Sequence, residues 1–402
     1  MALETSWSGI VELTYSKVSN DQASGNPDIN SYLSGDYGKF GNHQGSTSSV
    51  TQAAFNFEID WENNYSFHLV SNAYLNGSKD EIGITESYLK YKGLPDENGI
   101  RYQGRAGIIY PRISLENIAT AWASPYSLNY SMINSWVAEE VRHAGIELTV
   151  NHLGKFNKKK YDLNVSLSLF QNNDTTGALL AWHGWTQNSR QTLWQETIPL
   201  PNAQIRMVDQ PLSGQADNSD PFTEIDGRTG YHINGEWRWQ RKVSVLIGHY
   251  DNRTKPYIEI DGQYGWHTRF YHLGLRWKFD DGLTLISQHL SGDTHMQSPY
   301  RTDVVNNDYR SSFVMLSKQW NQHRLTVRIE SFEVIDRDKT SSDDNNETGN
   351  SFSLNYAYKL NKNWFLHAEF SQIDSQRFSR TYHNQAVNLV ENQWQLAARY
   401  FY

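Results

Sequence analysis

The chain has 402 residues, of which 38% are hydrophobic and 13% aromatic, and its formal net charge is −8. This composition excludes disulfides and thiolate metal sites, since there is no cysteine, and it argues against nucleic acid as a partner. No run of residues approaches the roughly 18 apolar residues of a transmembrane helix. The 14 Trp and 24 Tyr nevertheless indicate a folded protein, because disordered chains are poor in aromatic residues.

The dominant sequence period along the chain is two, which is the period of a β-strand whose side chains alternate between two faces. The segments with this period are long enough to cross a bilayer as tilted strands, which takes about 9–11 residues. The predicted strands are 7–17, 50–61, 64–75, 82–93, 100–110, 138–151, 160–172, 229–240, 241–251, 265–279, 282–292, 308–320, 323–335, 350–360, 364–375 and 388–402.

The connections between these segments alternate in length along the whole chain. The first kind is long, apart from 76–81, and comprises 18–49, 76–81, 111–137, 173–228, 252–264, 293–307, 336–349 and 376–387. The second kind is short and comprises 62–63, 95–98, 153–159, 240–241, 280–281, 321–322 and 361–363. Long extracellular loops and short periplasmic turns are typical of outer-membrane barrels. We therefore predict an all-β fold: a transmembrane antiparallel β-barrel of 16 strands, in which residues 1–402 form a single domain.

Proline and aromatic residues give independent support for a barrel. All ten prolines fall in the connections, as expected because proline removes a hydrogen bond from a paired strand. Aromatic residues recur beside the short turns, where barrels carry a girdle at the membrane interface. These are Trp61, Tyr91, Tyr161, Trp237, Trp239, Trp277, Phe279, Trp320 and Trp364, with Tyr402 at the chain end. The pattern predicts contact with membrane lipid.

The segment ENQWQLAARYFY (391–402) alternates up to its final residue and places Trp394, Leu396, Ala398 and Tyr400 on one face. An alternating strand that ends on an aromatic residue resembles the end of Gram-negative outer-membrane porins. The stretch ESYLKYKGLPDENGIRYQGRAGIIYPRISLEN (86–117) resembles the phosphate-selective and related sixteen-stranded porins. SPYSLNYSMINSWVAEEVRHAGIEL (124–148) and PFTEIDGRTGY (221–231) resemble the broader porin group.

This resemblance implies a location in the outer membrane of a Gram-negative bacterium, in contact with lipopolysaccharide. It also implies a homotrimer, for which the small lipid-face residues Gly104 and Ala106 would permit close subunit packing.

Sixteen strands leave an aqueous channel, so the polar side chains opposite the lipid face are predicted to line the pore. A charged side chain at the bilayer midplane on the lipid face would cost about 2–4 kcal/mol. The predicted pore-lining residues are Glu58, Asp60, Tyr88, Lys90, Arg101, Gln103, Arg105, Glu236, Arg238, His272, Arg276, Arg324, Arg328 and Glu330. A basic ring near the short turns would attract anions, and its members are Arg101, Arg238, Arg276, Arg324 and Arg399. A lumen of mixed, mutually neutralising charges is the alternative.

The 111–137 loop follows the fifth strand and is the candidate constriction loop. Ser114 is a plausible N-cap, which predicts a short helix over 115–122. Arg112, Glu116, Trp122, Tyr126, Tyr130 and Trp136 either line the constriction or pack the loop against the wall. Deleting 113–122 is expected to raise the channel conductance.

Two further connections carry expectations. The long extracellular loop 173–228 is expected to extend its hairpin above the membrane over 178–185. The acidic stretch 341–347 is expected to be a solvated loop, with the collection of divalent cations as the alternative.

The sequence contains no GxSxG, HExxH or P-loop motif, so we expect no enzyme activity, no cofactor and no metal site. Passive diffusion of small hydrophilic solutes is the leading prediction, with an anion or sugar bias left open. The rival prediction is an outer-membrane barrel that does not transport, such as a surface receptor, adhesin or structural protein with a plugged lumen.

Overall fold

In a computed structural model, sixteen strands form one closed antiparallel barrel in chain order, which confirms the predicted fold. The structure describes residues 3–21, 32–33, 45–61, 64–75, 81–201, 204–207 and 209–402, with only the backbone of Glu81 and His383. The barrel strands are β1 (Glu4–Asn20), β2 (Gly45–Trp61), β3 (Tyr65–Tyr74), β4 (Glu81–Lys92), β5 (Ile100–Ile109), β6 (His143–His152), β7 (Tyr161–Gln171), β8 (Gly230–Trp239), β9 (Val243–Asp251), β10 (His267–Lys278), β11 (Leu283–Gln297), β12 (Asp303–Trp320), β13 (His323–Asp336), β14 (Glu347–Lys359), β15 (Trp364–Arg377) and β16 (Asn388–Phe401).

Helices and short strands lie in the connections. The two α-helices are α1 (Met132–Glu140) and α2 (Ala178–His183), and the 3₁₀ turns are Thr120–Trp122, Gly154–Asn157, Gln204–Arg206 and Phe378–His383. Two minimal hairpins pair Ile198–Pro199 with Asn218–Ser219 and Glu259–Ile260 with Gln263–Tyr264. Within the described ranges, no helix has the length and apolar character that a helical membrane span requires.

The barrel closes where β1 pairs with β16, so that the sheet has no free edge to leave unpaired in lipid. Gly9 and Tyr402 complete the closure, because each backbone N–H donates to the other's carbonyl oxygen at 3.2 Å. The Tyr402 ring lies against Gly9, and its hydroxyl donates to the Ala54 carbonyl oxygen at 3.1 Å. The last residue is therefore held by both β1 and β2.

The outer face of the barrel is an apolar belt. On β16, Trp394 and Leu396 expose 61% and 59% of their surface, whereas the alternate residues Gln393 and Gln395 are buried. The aromatic residues exposed beside the short turns include Tyr91, Trp237, Trp239, Trp277, Phe279, Trp320 and Trp364. A closed barrel with this belt and girdle is built for the outer membrane.

The short turns gather at the end of the barrel that holds the C-terminus, and their backbone suits tight hairpins. Gln240 and Arg241, between β8 and β9, have φ angles of 48° and 58°. Two successive left-handed residues are the geometry whose twist matches a two-residue hairpin.

Two predicted boundaries are wrong, and three predicted connections lie mostly or wholly outside the described residues. The predicted connection 293–307 is mostly strand, because β11 continues to Gln297 and β12 begins at Asp303. The predicted strand 138–151 begins within α1, and β6 starts only at His143. Most of the connections 18–49 and 76–81, and the turn 62–63, lie outside the described residues.

The closure predicts a steric test at Gly9. A methyl group there would collide with the Tyr402 ring and the Ala54 carbonyl, whereas the nearest atom to a methyl group at Gly235 would lie 3.9 Å away. We expect Gly9→Ala to destabilise the barrel by about 1–3 kcal/mol, so that it loses its folded migration in SDS gels at a lower temperature. Gly235→Ala is the matched control and should melt like the wild type; equal melting of both variants would contradict the described closure.

Candidate channel interior

Two of the described connections fold inward, the first between the walls of the barrel and the second at its long-loop end. The first is the β5–β6 connection, 110–142, in which every residue of α1 is buried. The second is the start of the β7–β8 connection, where every residue of α2 is buried as well. The expectation that 178–185 extends the hairpin of its flanking strands is therefore wrong, because Ala178–His183 is a buried helix. The carbonyls of Ala181 and Trp182 accept hydrogen bonds from the buried Arg377 of β15, which draws this segment inward.

The first part of the β5–β6 connection is not the predicted helix. The Ser114 hydroxyl accepts from the N–H groups of Glu116 and Asn117, at 3.1 and 2.8 Å, as a cap would, but only a turn follows. The carbonyl of Ala121 accepts instead from the Gln52 and Gln191 side chains, so the wall and a second loop take the place of helical hydrogen bonds. The helix begins later, at α1, capped by Ser131.

Arg328 of β13 clamps this connection to the wall. Its guanidinium lies 2.6 Å from Glu116 of the loop and 2.7 Å from Glu330 of its own strand. It also donates to the Ser127 hydroxyl at 3.2 Å and to the carbonyls of Asn129 and Tyr130 at 3.0 Å. All three N–H-bearing nitrogens of the guanidinium therefore have partners although the side chain is only 1% exposed.

Carboxylates of the wall accept hydrogen bonds from the loop backbone, whereas Arg328 donates hydrogen bonds to it. Glu369 of β15 accepts from the N–H groups of Leu128 and Asn129 at 2.7 and 3.0 Å. Glu330 accepts from the N–H of Met132 at 2.8 Å. Buried backbone groups need partners, and these carboxylates supply them in the irregular part of the loop and at the first residue of α1.

The Trp136 side of α1 packs against an apolar part of the inner wall. The Trp136 ring lies 5.4 Å from Phe270 and 5.3 Å from Tyr309, both edge to face. The apolar inward residues of β9–β13 include Leu246, Tyr250, Phe270, Ile286, Leu290, Tyr309, Phe313, Met315 and Phe332. The sequence analysis missed this patch, although Phe270-Tyr271 and Leu285-Ile286 show apolar residues on both faces, as in strands buried on both sides.

The constriction-loop residues all contact the wall or each other. Arg112 lies 3.2 Å from Glu236, and the Arg324 guanidinium lies 5.3 Å from the centre of the Tyr126 ring. Trp122 stacks on Tyr110 at 4.8 Å and meets the edge of Tyr130 at 5.5 Å.

The predicted pore-lining residues fall into three groups by position. The first lies in the middle of the wall: the buried Glu236, His272, Arg328 and Glu330, and the half-buried Arg105, which pairs with Glu147 at 2.8 Å. The second belongs to β2 and β4, where Glu58 and Tyr88 line a cavity of about 420 Å³ and Asp60 and Lys90 follow in alternation. The third lies toward the short turns: Arg101, Gln103, Arg238, Arg276 and Arg324.

Arg101, Arg238 and Arg324 of the third group line two basic cavities at the short-turn end, whereas Gln103 and Arg276 line neither. One is about 750 Å³ and is lined by Arg101, Leu153, Lys155, Lys159, Lys160, Asp162, Arg238, Gln240, Arg241 and Lys242. The other is about 300 Å³, and its cationic lining is Arg324, Lys359, Lys362 and Arg399. Among the described residues, Asp162 is the one acidic residue in the lining of the two cavities, so both linings are predominantly basic, although Lys242 and Arg399 also pair with Asp280 and Glu12 outside them.

Comparisons with known proteins place the fold. No protein-family model matches the chain, and no curated protein is similar to it in sequence. Many solved structures match it along nearly their whole length, among them the following three. The outer-membrane channel DcaP of Acinetobacter baumannii has a TM-score of 0.59 at 10% identity, covering 100% of this chain and 97% of that one. The chain has the porin fold.

The other two structures are similarly distant in sequence. An anion-selective porin from Comamonas acidovorans has a TM-score of 0.54 at 11% identity, covering 100% of both chains. OmpT of Vibrio cholerae, described as a trimer form, has a TM-score of 0.50 at 7% identity, also covering 100% of both. The predicted resemblance to porins is confirmed at the level of the fold.

The clamp predicts a local effect on loop stability. Glu116→Ala leaves Arg328 buried with one carboxylate fewer, and breaking a buried pair costs about 3–5 kcal/mol. We expect hydrogen exchange in 110–142 to accelerate about a hundredfold or more, since about 1.4 kcal/mol is a factor of ten. Arg310→Ala is the control, because the Arg310–Glu333 pair lies on the exposed outer face. Unchanged exchange in Glu116→Ala would contradict the clamp.

The β13–β14 connection, 337–346, contains a buried acid within the acidic stretch 341–347. Asp343 is 6% exposed, and within the described residues its Oδ2 has no hydrogen-bond partner. Burial, with the nearby charges of Asp338 and Asp336, raises the pKa of Asp343 from 3.8 to about 8. The loop is thus partly buried rather than simply solvated.

This raised pKa predicts that the loop weakens as the pH rises. Folding raises the pKa, so the stabilisation from the protonated acid is complete below pH 3.8 and is lost as the pH rises toward about 8. Hydrogen exchange in 337–346, corrected for intrinsic rates, should therefore be faster at pH 8 than at pH 5. Asp343→Asn, which mimics the protonated acid, should remove the difference. An equal pH dependence in both proteins would refute the assignment.

Proposed function

We propose that this protein is an outer-membrane diffusion channel for small hydrophilic solutes. The observation that carries the proposal is a closed sixteen-stranded barrel with many polar and charged inward side chains and a β5–β6 connection folded inside it. A barrel of this size encloses more space than its own wall side chains fill. Within the proposal, the infolded connections narrow the path, and the protein needs neither a cofactor nor catalytic chemistry.

The two basic cavities support a preference for anions. A low-dielectric wall lined by charges of one sign concentrates ions of the opposite sign. The basic linings of these cavities would therefore concentrate anions. The extracellular connections are acidic by comparison, as in Asp338, Asp343 and Asp344. We therefore place the selecting field at the periplasmic mouth, where Arg101 and Arg238 of the predicted basic ring line the larger cavity and Arg324 lines the smaller one.

We further propose that the working unit is a homotrimer embedded in lipid and lipopolysaccharide. One structural neighbour is described as a trimer form. On the outer face of β5, Gly104 and Ala106 present little side chain, which would allow two barrels to approach closely.

Single-channel recording in a planar bilayer tests the proposal. Stable conductance steps from folded protein are expected, with a reversal potential of anionic sign in a KCl gradient. The deletion of 113–122 remains expected to raise the step size, because it removes Glu116 and frees the clamp. Absence of steps from folded protein would reject the channel and favour a barrel that does not transport.

The basic mouth predicts a specific loss of selectivity. Replacing Arg101 and Arg238 by Gln removes two charges from the larger cavity, and we expect the chloride-to-potassium permeability ratio to fall about twofold or more. Lys318→Gln is the matched control, because Lys318 pairs with Asp281 at 2.6 Å, outside the larger cavity. Equal ratios in the double variant and the control would place the selecting field elsewhere.

A further inference from the structure

A cavity of about 420 Å³ lies between the β5–β6 connection and the inner face of the first strands. Its volume falls in the range of small-molecule sites, about 300–1,000 Å³. The wall contributes Ser8, Asn56, Glu58, His68, Glu86 and Tyr88 to the lining, and the loop contributes residues 117–122.

The loop holds Trp122 at this cavity in a strained conformation. Ala121 and Trp122 have φ angles of 52° and 59°, in the left-handed region that non-glycine residues avoid. Such strain persists only where the surroundings fix it, and it clusters at ligand sites. Here Gln191 donates to the Ala121 carbonyl at 2.8 Å, and Asn117 donates to the Trp122 carbonyl at 2.9 Å.

The result is a preorganised aromatic platform. Trp122 stacks on Tyr110 with an angle of 13° between the rings and meets Tyr130 edge on, so its ring is braced by the loop and by the residue that follows β5. The side chain remains half-buried, and it lines the cavity.

Polar groups face the same space. The Nε2 atom of His68 lies 2.9 Å from a Glu58 carboxylate oxygen, and the His68 ring stacks on Tyr88 at 4.9 Å. The Asn56 side-chain oxygen has no hydrogen-bond partner within the described part of the chain. The site therefore combines an aromatic face with carboxylate, imidazole and amide groups that can bond to hydroxyls.

This chemistry favours a neutral polyol over an anion. The carboxylates of Glu58 and Glu86 disfavour an anion, in contrast to the basic mouth. The Arg105 guanidinium already lies 5.3 Å from the centre of the Tyr88 ring, which leaves that face unavailable to a cationic solute. A sugar has an apolar C–H face that can stack on the Trp122 indole, and hydroxyl groups that can donate hydrogen bonds to the Glu58 and Glu86 carboxylates.

We propose that this cavity is a sugar subsite of the channel, with Trp122 as the stacking platform and Glu58 and His68 as the hydroxyl partners. The proposal rests on the proposed channel function and names one class of solute for it: neutral sugars of mono- or disaccharide size.

The test is sucrose binding to folded protein, measured in two independent ways. Calorimetry in detergent reports binding without any need for conductance, and single-channel recording reports whether sucrose reduces the current in a saturable manner. A polyethylene glycol of similar mass is the control probe and should reduce the current only in proportion to its concentration.

Trp122→Ala should weaken sucrose binding about tenfold or more, and Trp122→Tyr should retain most of it. Trp364→Phe, at the exposed outer rim, is the matched control and should bind like the wild type. Absence of saturable binding in the wild type, or equal binding by Trp122→Ala, would overturn the subsite. Saturable sucrose binding without conductance would support the sugar subsite and contradict the channel function. Conductance without sucrose binding would support the channel function and contradict the sugar subsite.

Discussion

The buried guanidinium of Arg328 is the constraint on which the interior of this barrel depends. Removing a charge from water costs several kcal/mol unless partners replace the lost hydration. The β13 strand supplies Glu330, but the remaining partners, Glu116 among them, come from the β5–β6 connection. The wall therefore fixes the position of that connection, and with it the positions of α1 and Trp122, which belong to the connection.

The charges of the barrel differ between its two ends. The periplasmic mouth carries the basic cavities, the extracellular connections carry acids such as Asp343, and the cavity beside Trp122 carries carboxylates and aromatic rings. A solute that crosses such a channel would meet these environments in turn. Selection by charge and selection by stacking would then act at different depths, through different residues.

The sequence predicts the wall much better than the interior, for a physical reason. A strand's alternation is local, so β16 and the aromatic girdle follow directly from residue order. The end of β11, beyond residue 292, did not show this alternation, because Asp293 and His295 stand on its outer face where the pattern requires apolar residues. The infolded connections had no local signal of comparable strength, since Glu116 meets Arg328 across much of the sequence and the Ala121 carbonyl is satisfied by Gln191. The helix predicted after Ser114 failed for the same reason.

The most direct test of the account is the conductance of a channel whose connection is locked to the wall. Leu115 packs on Gly274 of β10, and a Cβ atom added at Gly274 would lie 3.2 Å from the Cγ atom of Leu115. The native chain has no cysteine that could form a competing disulfide. We predict that Leu115→Cys with Gly274→Cys forms a disulfide without backbone movement, and that the oxidised channel conducts like the wild type. Free thiols under oxidising conditions, or a conductance well below that of the wild type once the disulfide forms, would show that the connection does not normally lie at the wall.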